Sequence, residues 1–240
     1  PVSAPHLRAI TWLSLAAFAS AAATRLCDPM LPDLARQFGR STAEAAHAVS
    51  GYAIAYGCFQ VIFGPLGDRL GKYRLIALCA LACVPGCLLG ALAGSLDALV
   101  WARMLTGVAA AGIIPLAMAW IGDTVPYALR QSTLARFLIG QVLGMVGGQF
   151  IGGGFADTLG WRWAFGAMAL LYLGVGLAVL AESRRGTVQA FLKHAKLMVA
   201  QSRRAQDEIA QLRGHWEGTV KMTVSPAIGL GLLPQALNQF

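Results

Sequence analysis

The sequence predicts an all-α integral membrane protein, with six transmembrane helices in two inverted three-helix repeats and a basic cytoplasmic tail. Of its 240 residues, 57% are hydrophobic and only 12% are charged, and the mean hydropathy is +0.60. Six long uncharged runs follow one another along the chain. A soluble core that encloses six such runs needs a larger chain than this one. An internal repeat relates the first three runs to the last three.

The predicted spans follow these runs, because a helix needs roughly 18–20 apolar residues to cross a bilayer. Together they form a membrane domain, residues 1–182. The remaining segment, 183–240, carries eight Lys or Arg against three Asp or Glu. It is predicted to contain a basic amphipathic helix, lying on the inner membrane surface or solvated in the cytoplasm. The spans are 8–28, 46–66, 75–95, 98–121, 134–156 and 162–181.

Basic residues predict the orientation, because Lys and Arg beside a span tend to stay in the cytoplasm. An inside N-terminus places most of the flanking basic residues on the cytoplasmic side, and only Arg36, Arg40 and Arg162 outside. The net charge of +8 is then explained by topology and anionic lipid, and no nucleic-acid partner is predicted. The predicted cytoplasmic residues are Arg8, Arg69, Lys72, Arg74, Arg130, Arg136, Arg184 and Arg185.

The internal repeat has an offset of 89 residues, and "QVIFGPLGDRLG" (60–71) matches "QFIGGGFADTLG" (149–160). Because three spans separate the copies, the two turns face opposite sides of the membrane. Inverted three-helix repeats are typical of secondary transporters. The matched pairs are Gln60 and Gln149, Gly64 and Gly153, Asp68 and Asp157, Leu70 and Leu159, and Gly71 and Gly160.

Glycines at four-residue spacing predict close helix contacts in the third and fifth spans. No nucleotide-binding glycine motif, metal-ligand spacing or catalytic arrangement occurs, so neither a cofactor nor an enzymatic activity is predicted. The five cysteines form no CxxC pair, and we expect those of the third span to serve packing. The glycines are Gly86, Gly90 and Gly94 in the third span, and Gly140, Gly144, Gly148 and Gly152 in the fifth.

Three motifs resemble the major facilitator superfamily. "GPLGDRLGKYR" (64–74) resembles its signature between helices 2 and 3, "DALVWARMLTGVAAAG" (97–112) its helix 4 signature, and "GWRWAF" (160–165) the start of helix 6. The resemblance covers residues 8–182 and implies half of this family's fold. It also implies that the second six-helix half is missing, or is supplied by another chain or by a homodimer.

The first motif predicts a gate at the cytoplasmic surface. Its glycines permit a tight turn, and Asp68, expected near the start of the third helix, is placed to stabilise the positive end of that helix. The resemblance implies that the cluster closes a cytoplasmic gate, whereas a static topology anchor is the alternative interpretation. The predicted gate residues are Gly64, Gly67, Asp68, Arg69, Gly71, Lys72, Arg74 and Asp123.

Charged residues inside a span are rare and usually functional, which predicts a proton-coupling site of Asp28, Arg103 and Arg25. Desolvation favours the protonated form of a carboxylate and a nearby arginine favours the ionised form, so we expect Asp28 and Arg103 to be coupled. The alternative for Asp28 is an interfacial ion pair with Arg25. The predicted substrate cavity is lined by Tyr52, Tyr56, Gln60, Met118, Gln141 and Gln149.

The fifth span resembles the antiporter signature G-x-x-x-G-P-x-x-G-G, but "GMVGGQFIGG" (144–153) has Gln149 in place of the proline. The chain is therefore predicted to be a secondary transporter that exports small amphiphilic or sugar-like molecules in exchange for protons. The bacterial inner membrane is the expected location. The alternative is a non-transporting half-size membrane protein that serves as a scaffold or partner subunit.

Overall fold

The computed structural model describes the backbone of residues 4–185 and the side chains of residues 8–185. Within this range the chain is helical and contains no strand. The predicted tail, 183–240, falls almost wholly outside the described residues. The helices are α1 (Ala4–Arg25), α2 (Leu31–Phe38), α3 (Thr42–Ala45), α4 (His47–Leu70), α5 (Lys72–Ala91), α6 (Leu96–Ala110), α7 (Ile113–Thr124), α8 (Tyr127–Thr158) and α9 (Trp161–Arg185).

Five segments are long and apolar enough to cross a membrane. They correspond to the second through sixth predicted spans, and α6 and α7 follow each other with a short break within the fourth predicted span. α1 has 22 residues but is not one of the five, so its role as a span stays a prediction. The five segments are Thr42–Leu70, Lys72–Ala91, Leu96–Thr124, Tyr127–Thr158 and Trp161–Arg185.

Two short helices occupy the connection between α1 and α4, where no helix was predicted. A proline in the first turn favours the start of α2, and Gly39 ends it in the left-handed conformation with φ 61°. Ser41 caps α3, since its hydroxyl accepts from the Glu44 backbone N–H while the Glu44 carboxylate accepts from the Ser41 N–H. These local signals are independent of long apolar runs.

α1 packs against α8 along its length, and the glycines of α8 make this possible. A Cβ atom at Gly148 would lie 2.2 Å from the carbonyl oxygen of Ala22, and one at Gly152 would lie 2.1 Å from that of Leu26. Any side chain there would collide with the backbone of α1 or of Leu26, the residue that follows it. The predicted close contact of the fifth span is therefore confirmed.

The glycines of α5 also lie at helix contacts, with one exception. A Cβ atom added at Gly86 would lie 2.4 Å from Oγ1 of Thr106 in α6. One added at Gly90 would lie 2.9 Å from Cδ1 of Phe165 in α9. The prediction was wrong for Gly94, which has no atom within 4 Å of that position. Gly94 follows the end of α5, where the neighbouring helices no longer face it.

Two of the long helices are largely uncovered. In the most apolar 18-residue stretch of each span, the buried share is only 11% in Thr42–Leu70 and 17% in α8. The corresponding share is 44–56% in α5, in α6 with α7, and in α9. Their exposed faces are mainly apolar, with single polar residues such as Gln60 and Gln149. α4 and α8 thus present surface to lipid or to another protein.

The turns α4–α5 and α8–α9 share one backbone feature. Gly71 has φ 85° and Gly160 has φ 96°, a region that favours glycine. An added Cβ would meet no atom within 4 Å at either position. Glycine is therefore required there by the backbone conformation, and not by lack of space.

Candidate functional site

Lys72 is the centre of the predicted gate cluster. Its Nζ lies 3.1 Å from Asp68 Oδ1, at the end of α4, and 2.5 Å from Asp123 Oδ2, at the end of α7. Both carboxylates are exposed, at 68% and 61% of their side-chain surface. Exposed ion pairs contribute little to folding. Lys72 therefore links α4, α5 and α7 at the end of the bundle that holds Gly71, here called the Gly71 end.

The other motif residues have different surroundings. Gly67 is buried, and a Cβ there would lie 2.3 Å from Cδ2 of Leu116, so it allows α4 to approach α7. Gly64 faces open space, and Arg69 and Arg74 are exposed. Asp68 belongs to the last turn of α4 and not to the start of the next helix, which corrects the expected contact with a positive helix end.

Arg103 of α6 is fully enclosed, with 1% of its surface exposed. Its Nε donates to the carbonyl oxygen of Ala48 at 3.3 Å, and its guanidinium carbon lies 4.1 Å from the centre of the Tyr52 ring. Its Nη2 has no hydrogen-bond partner among the described residues. A carbonyl oxygen and the face of an aromatic ring, both from α4, thus hold this buried cation.

Neutral polar groups occupy the turn of α6 that follows this arginine. Thr106, one turn further along α6, is buried and donates to the Ala102 carbonyl oxygen at 2.8 Å. The Cys83 thiol of α5 lies 3.8 Å from the Thr106 carbonyl oxygen. No carboxylate in the described range forms a salt bridge with Arg103.

Asp28 lies just beyond α1 and pairs with Arg25, with 3.2 Å between Oδ2 and Nη1. A second ion pair, also between residues three positions apart in the sequence, follows on α2, where Arg36 contacts Asp33. The structure therefore contains the ion pair with Arg25 that the alternative interpretation of Asp28 requires. Coupling between Asp28 and Arg103 stays a prediction.

The predicted cavity residues fall into two groups. Gln60, Gln149 and Met118 are exposed, while Tyr56 and Gln141 are half-buried. Tyr52 differs from the prediction, because only 1% of it is exposed and its ring lies between Arg103 and Tyr56. Its side chain supports the buried cation and does not line an open wall.

Sequence reasoning missed a second cluster, at the opposite end of the bundle near Gly160, here called the Gly160 end. The indole Nε1 of Trp161 donates to Gln37 Oε1 in α2. The Arg162 guanidinium lies 4.5 Å from the Trp161 ring, and its Nη2 donates to the Ala93 carbonyl oxygen at 3.0 Å. The motif "GWRWAF" indicates a family resemblance but none of these contacts, because they join distant parts of the chain.

An ion-pair group also connects the first and last described helices. Glu182 of α9 lies 3.7 Å from Arg8 of α1 and 3.8 Å from Arg185. Only 15% of the Glu182 side chain is exposed. This contact lies at the same end of the bundle as the Lys72 cluster, since α1 begins and α9 ends there.

Comparison with known proteins identifies the family. The family model described as Major Facilitator Superfamily matches residues 13–228. The chain belongs to the major facilitator superfamily. It is therefore a membrane protein of a transporter family, and the resemblance of its three motifs is confirmed.

The relatives include exporters from bacteria and fungi. Multidrug export protein EmrB of Haemophilus influenzae is 27% identical over 171 residues, which are 71% of this chain and 33% of that protein. The efflux pump dotC of Dothistroma septosporum is 32% identical over 162 residues, 64% of this chain and 26% of that protein. The chain thus spans less than half the length of the curated relatives it matches.

Solved structures show the same fold. A bacterial homologue of the human lysosomal transporter Spinster, in an inward-facing and unoccupied conformation, aligns with a TM-score of 0.63 and 17% identity. The alignment covers 76% of this chain and 43% of that chain. The POT family transporter PepTSo aligns with a TM-score of 0.64 over 74% of this chain and 38% of that one.

Proposed function

We propose that this chain is the six-helix half of a secondary active transporter that exports small molecules in exchange for protons. The observation that carries this function is the contrast between the uncovered helices α4 and α8 and the enclosed cation Arg103, which packs against α4. Uncovered helices with scattered amides offer one wall of a cavity, and a second six-helix half supplies the other. The export function of EmrB and dotC supports the direction of transport.

Six spans in two inverted repeats form part of the same proposal, with α1 as the first span. The helix contacts support it, because α1 packs against α8 and α4 packs against α6. If the first three spans exchange with the last three, the pair of first and fifth spans becomes the pair of fourth and second. The two extensive contacts are thus equivalent under the repeat.

The Lys72 cluster acts in this proposal as the cytoplasmic gate. An exposed lysine shared by two carboxylates is easily rearranged, since each single pair is weak in water. We expect Asp68→Asn to slow transport severalfold and to leave insertion intact. Asp157→Asn is the matched control, because Asp157 occupies the equivalent place in the repeat and is exposed. Equal transport by both variants would reduce the Lys72 cluster to a static anchor.

Proton coupling is assigned to Asp28, with Arg103 as its electrostatic neighbour and Arg25 as its resting partner. Asp28→Asn is expected to abolish accumulation of substrate against a gradient and to leave binding detectable. Asp33→Asn is a close control, because Asp33 forms an ion pair of the same spacing with Arg36. Concentrative transport by Asp28→Asn under an imposed pH difference would place the proton site elsewhere.

Reconstitution of the 240-residue chain in proteoliposomes tests the function as a whole. Efflux of a fluorescent amphiphile should depend on an imposed pH gradient, and cross-linking reports whether a second copy completes the cavity. Inserted chain without transport in any oligomeric state would favour the alternative function, a half-size scaffold or partner subunit. The proposed orientation places the N-terminus in the cytoplasm, with the chain in the bacterial inner membrane. Labelling of a cysteine at position 72 by an impermeant reagent in intact cells would contradict this orientation.

A further inference from the structure

The residues that follow the two positive-φ glycines occupy equivalent positions. Lys72 begins α5 directly after Gly71, and Trp161 begins α9 directly after Gly160. The repeat of 89 residues relates the two glycines, and therefore relates Lys72 to Trp161. The same turn geometry thus introduces a hydrogen-bond donor at both ends of the bundle.

Each donor reaches beyond its own repeat. Lys72 contacts Asp123, in the last turn of α7, which ends the fourth span. Trp161 donates to Gln37 in α2, the helix that follows the first span. The end of the fourth span, and the helix that follows the first span, are therefore each linked to the start of the third helix of the other repeat. We call the Lys72–Asp123 contact the inner tie and the Trp161–Gln37 contact the outer tie.

The outer tie is firmly built. Trp161 is 4% exposed, and its ring centroid lies 5.9 Å from those of Phe38 in α2 and Phe165 in α9. Arg162 stacks on the same indole and donates to Ala93, just after the end of α5. The indole therefore joins α2 to α9, and Arg162 connects it to the segment that follows α5.

The two ties use different chemistry, for a reason that depends on the side of the membrane. Lys and Arg favour the cytoplasmic side, whereas Trp is enriched at both membrane interfaces. An indole N–H supplies a directed donor without adding a positive charge at the proposed outer surface. Trp161 thus keeps a donor at the position of Lys72, but it replaces an ammonium shared by two carboxylates with a buried indole that donates to a neutral amide.

We propose that Trp161 and Gln37 are positioning residues of the transport cycle, which hold α2 over the outer end of the bundle as Lys72 holds α7 at the inner end. The inference rests on the proposed function, because it assigns each tie to one side of an alternating-access cycle. Each tie controls the opening of its own end. Loss of one tie therefore loosens one end and leaves the other closed.

Two buried positions report on the two ends. Ala35 of α2 is 8% exposed and Val125, two residues beyond Asp123, is 3% exposed. Cysteine replaces each of them in a Cys58→Ser background, since Cys58 is exposed and the other four native cysteines are buried. The rate of maleimide labelling is measured for the full chain in open membrane fragments, where both surfaces are accessible.

Gln37→Met breaks the outer tie and Lys72→Met the inner one. Gln37→Met is expected to raise the labelling rate at position 35 about fivefold, as expected for one lost hydrogen bond in a local opening equilibrium, with position 125 unchanged. Lys72→Met should do the reverse. A general loss of stability would instead raise both rates together, and that outcome would overturn the proposal, as would an unchanged rate at position 35 in Gln37→Met.

Conservative variants separate the hydrogen bond from packing. Gln37→Glu keeps an acceptor and should label like the parent, whereas Trp161→Phe keeps a ring, loses the N–H and should label like Gln37→Met. Trp163→Phe is the matched control, because Trp163 is 62% exposed. If Trp161→Phe fails to fold, the exposed Gln37 still provides the test. Labelling requires no transport, so the two tests fail separately. A failed transport assay would contradict the proposed function, whereas the labelling rates would still show whether each tie holds its own end.

Discussion

The contact between α1 and α8 and the contact between α4 and α6 are both built on glycine, but their glycines face different neighbours. Gly148 of α8 faces the backbone of Ala22, with the carbonyl oxygen 2.2 Å and the Cα 2.7 Å from an ideal Cβ. Gly51 of α4 faces the flexible side chain of Met104, whose Cγ lies at 3.2 Å. Gly107 of α6 lies between these cases.

This difference determines how each contact responds to an added methyl group. A side chain moves aside by a change of rotamer, whereas a helix backbone moves only if the whole helix shifts. α1 and α8 are joined backbone to backbone at successive turns, so a shift at one turn disturbs the others. Small-residue contacts of this kind hold helices together in membranes by close packing, since lipid provides little hydrophobic driving force.

The largest effect is expected for Gly148→Ala. The added methyl group must separate α1 from α8, and we expect a loss of about 3 kcal/mol, at the upper end of overpacking effects. Thermal unfolding in detergent, followed by size-exclusion chromatography, measures it. Gly154→Ala on the same helix is the control, because an added Cβ there meets nothing within 4 Å. Equal melting temperatures of the two variants would remove the distinction between the contacts.

Gly107→Ala should have an intermediate effect. A methyl group there would lie 2.6 Å from the Tyr52 carbonyl oxygen, but its next neighbour is a Cβ at 3.3 Å. We expect a loss of about 2 kcal/mol, and also a displaced Tyr52 ring beneath Arg103. Comparison with Gly57→Ala, which has open space on α4, isolates the effect of the contact. A loss as large as that of Gly148→Ala would show that the second contact is equally rigid.

Gly51→Ala should cost less than about 1 kcal/mol, because only side chains need to move. Met104 is unbranched and adapts its conformation easily. The double variant Gly51→Ala, Met104→Ala should therefore lose less stability than the sum of the losses of the two single variants. A simple sum of the two losses in this double-mutant cycle would mean that Met104 does not accommodate the methyl group.

Arg103→Met is expected to change stability least. The variant loses a hydrogen bond to Ala48 and the stacking on Tyr52, but it also removes the desolvation of a buried charge. These effects oppose each other, so we expect the melting temperature to stay within the range of Gly51→Ala. A melting temperature far below that range would show that Arg103 mainly stabilises the α4–α6 contact.

The glycine contact in α8 could be predicted from the sequence because four-residue spacing on one helix is a local property. The neighbours of Arg103 could not, since Ala48 contributes only a carbonyl oxygen, which no side-chain pattern records. The same limit applies to Tyr52, which an apolar helix could direct either outward or inward. Trp161 and Gln37 are 124 positions apart, and only the folded chain brings them together.

The enclosure of Arg103 has a consequence for the synthesis of the protein. A lone arginine within a spanning helix opposes insertion, by about 2.5–3.5 kcal/mol where it lies at the bilayer centre. Ala48 and Tyr52 precede Arg103 in the chain, and α4 is therefore made before α6 leaves the ribosome. The groups that stabilise the guanidinium are already present when it enters the bilayer. Because α4 precedes α6 in the chain, the binding partners of the arginine are synthesised before the arginine itself.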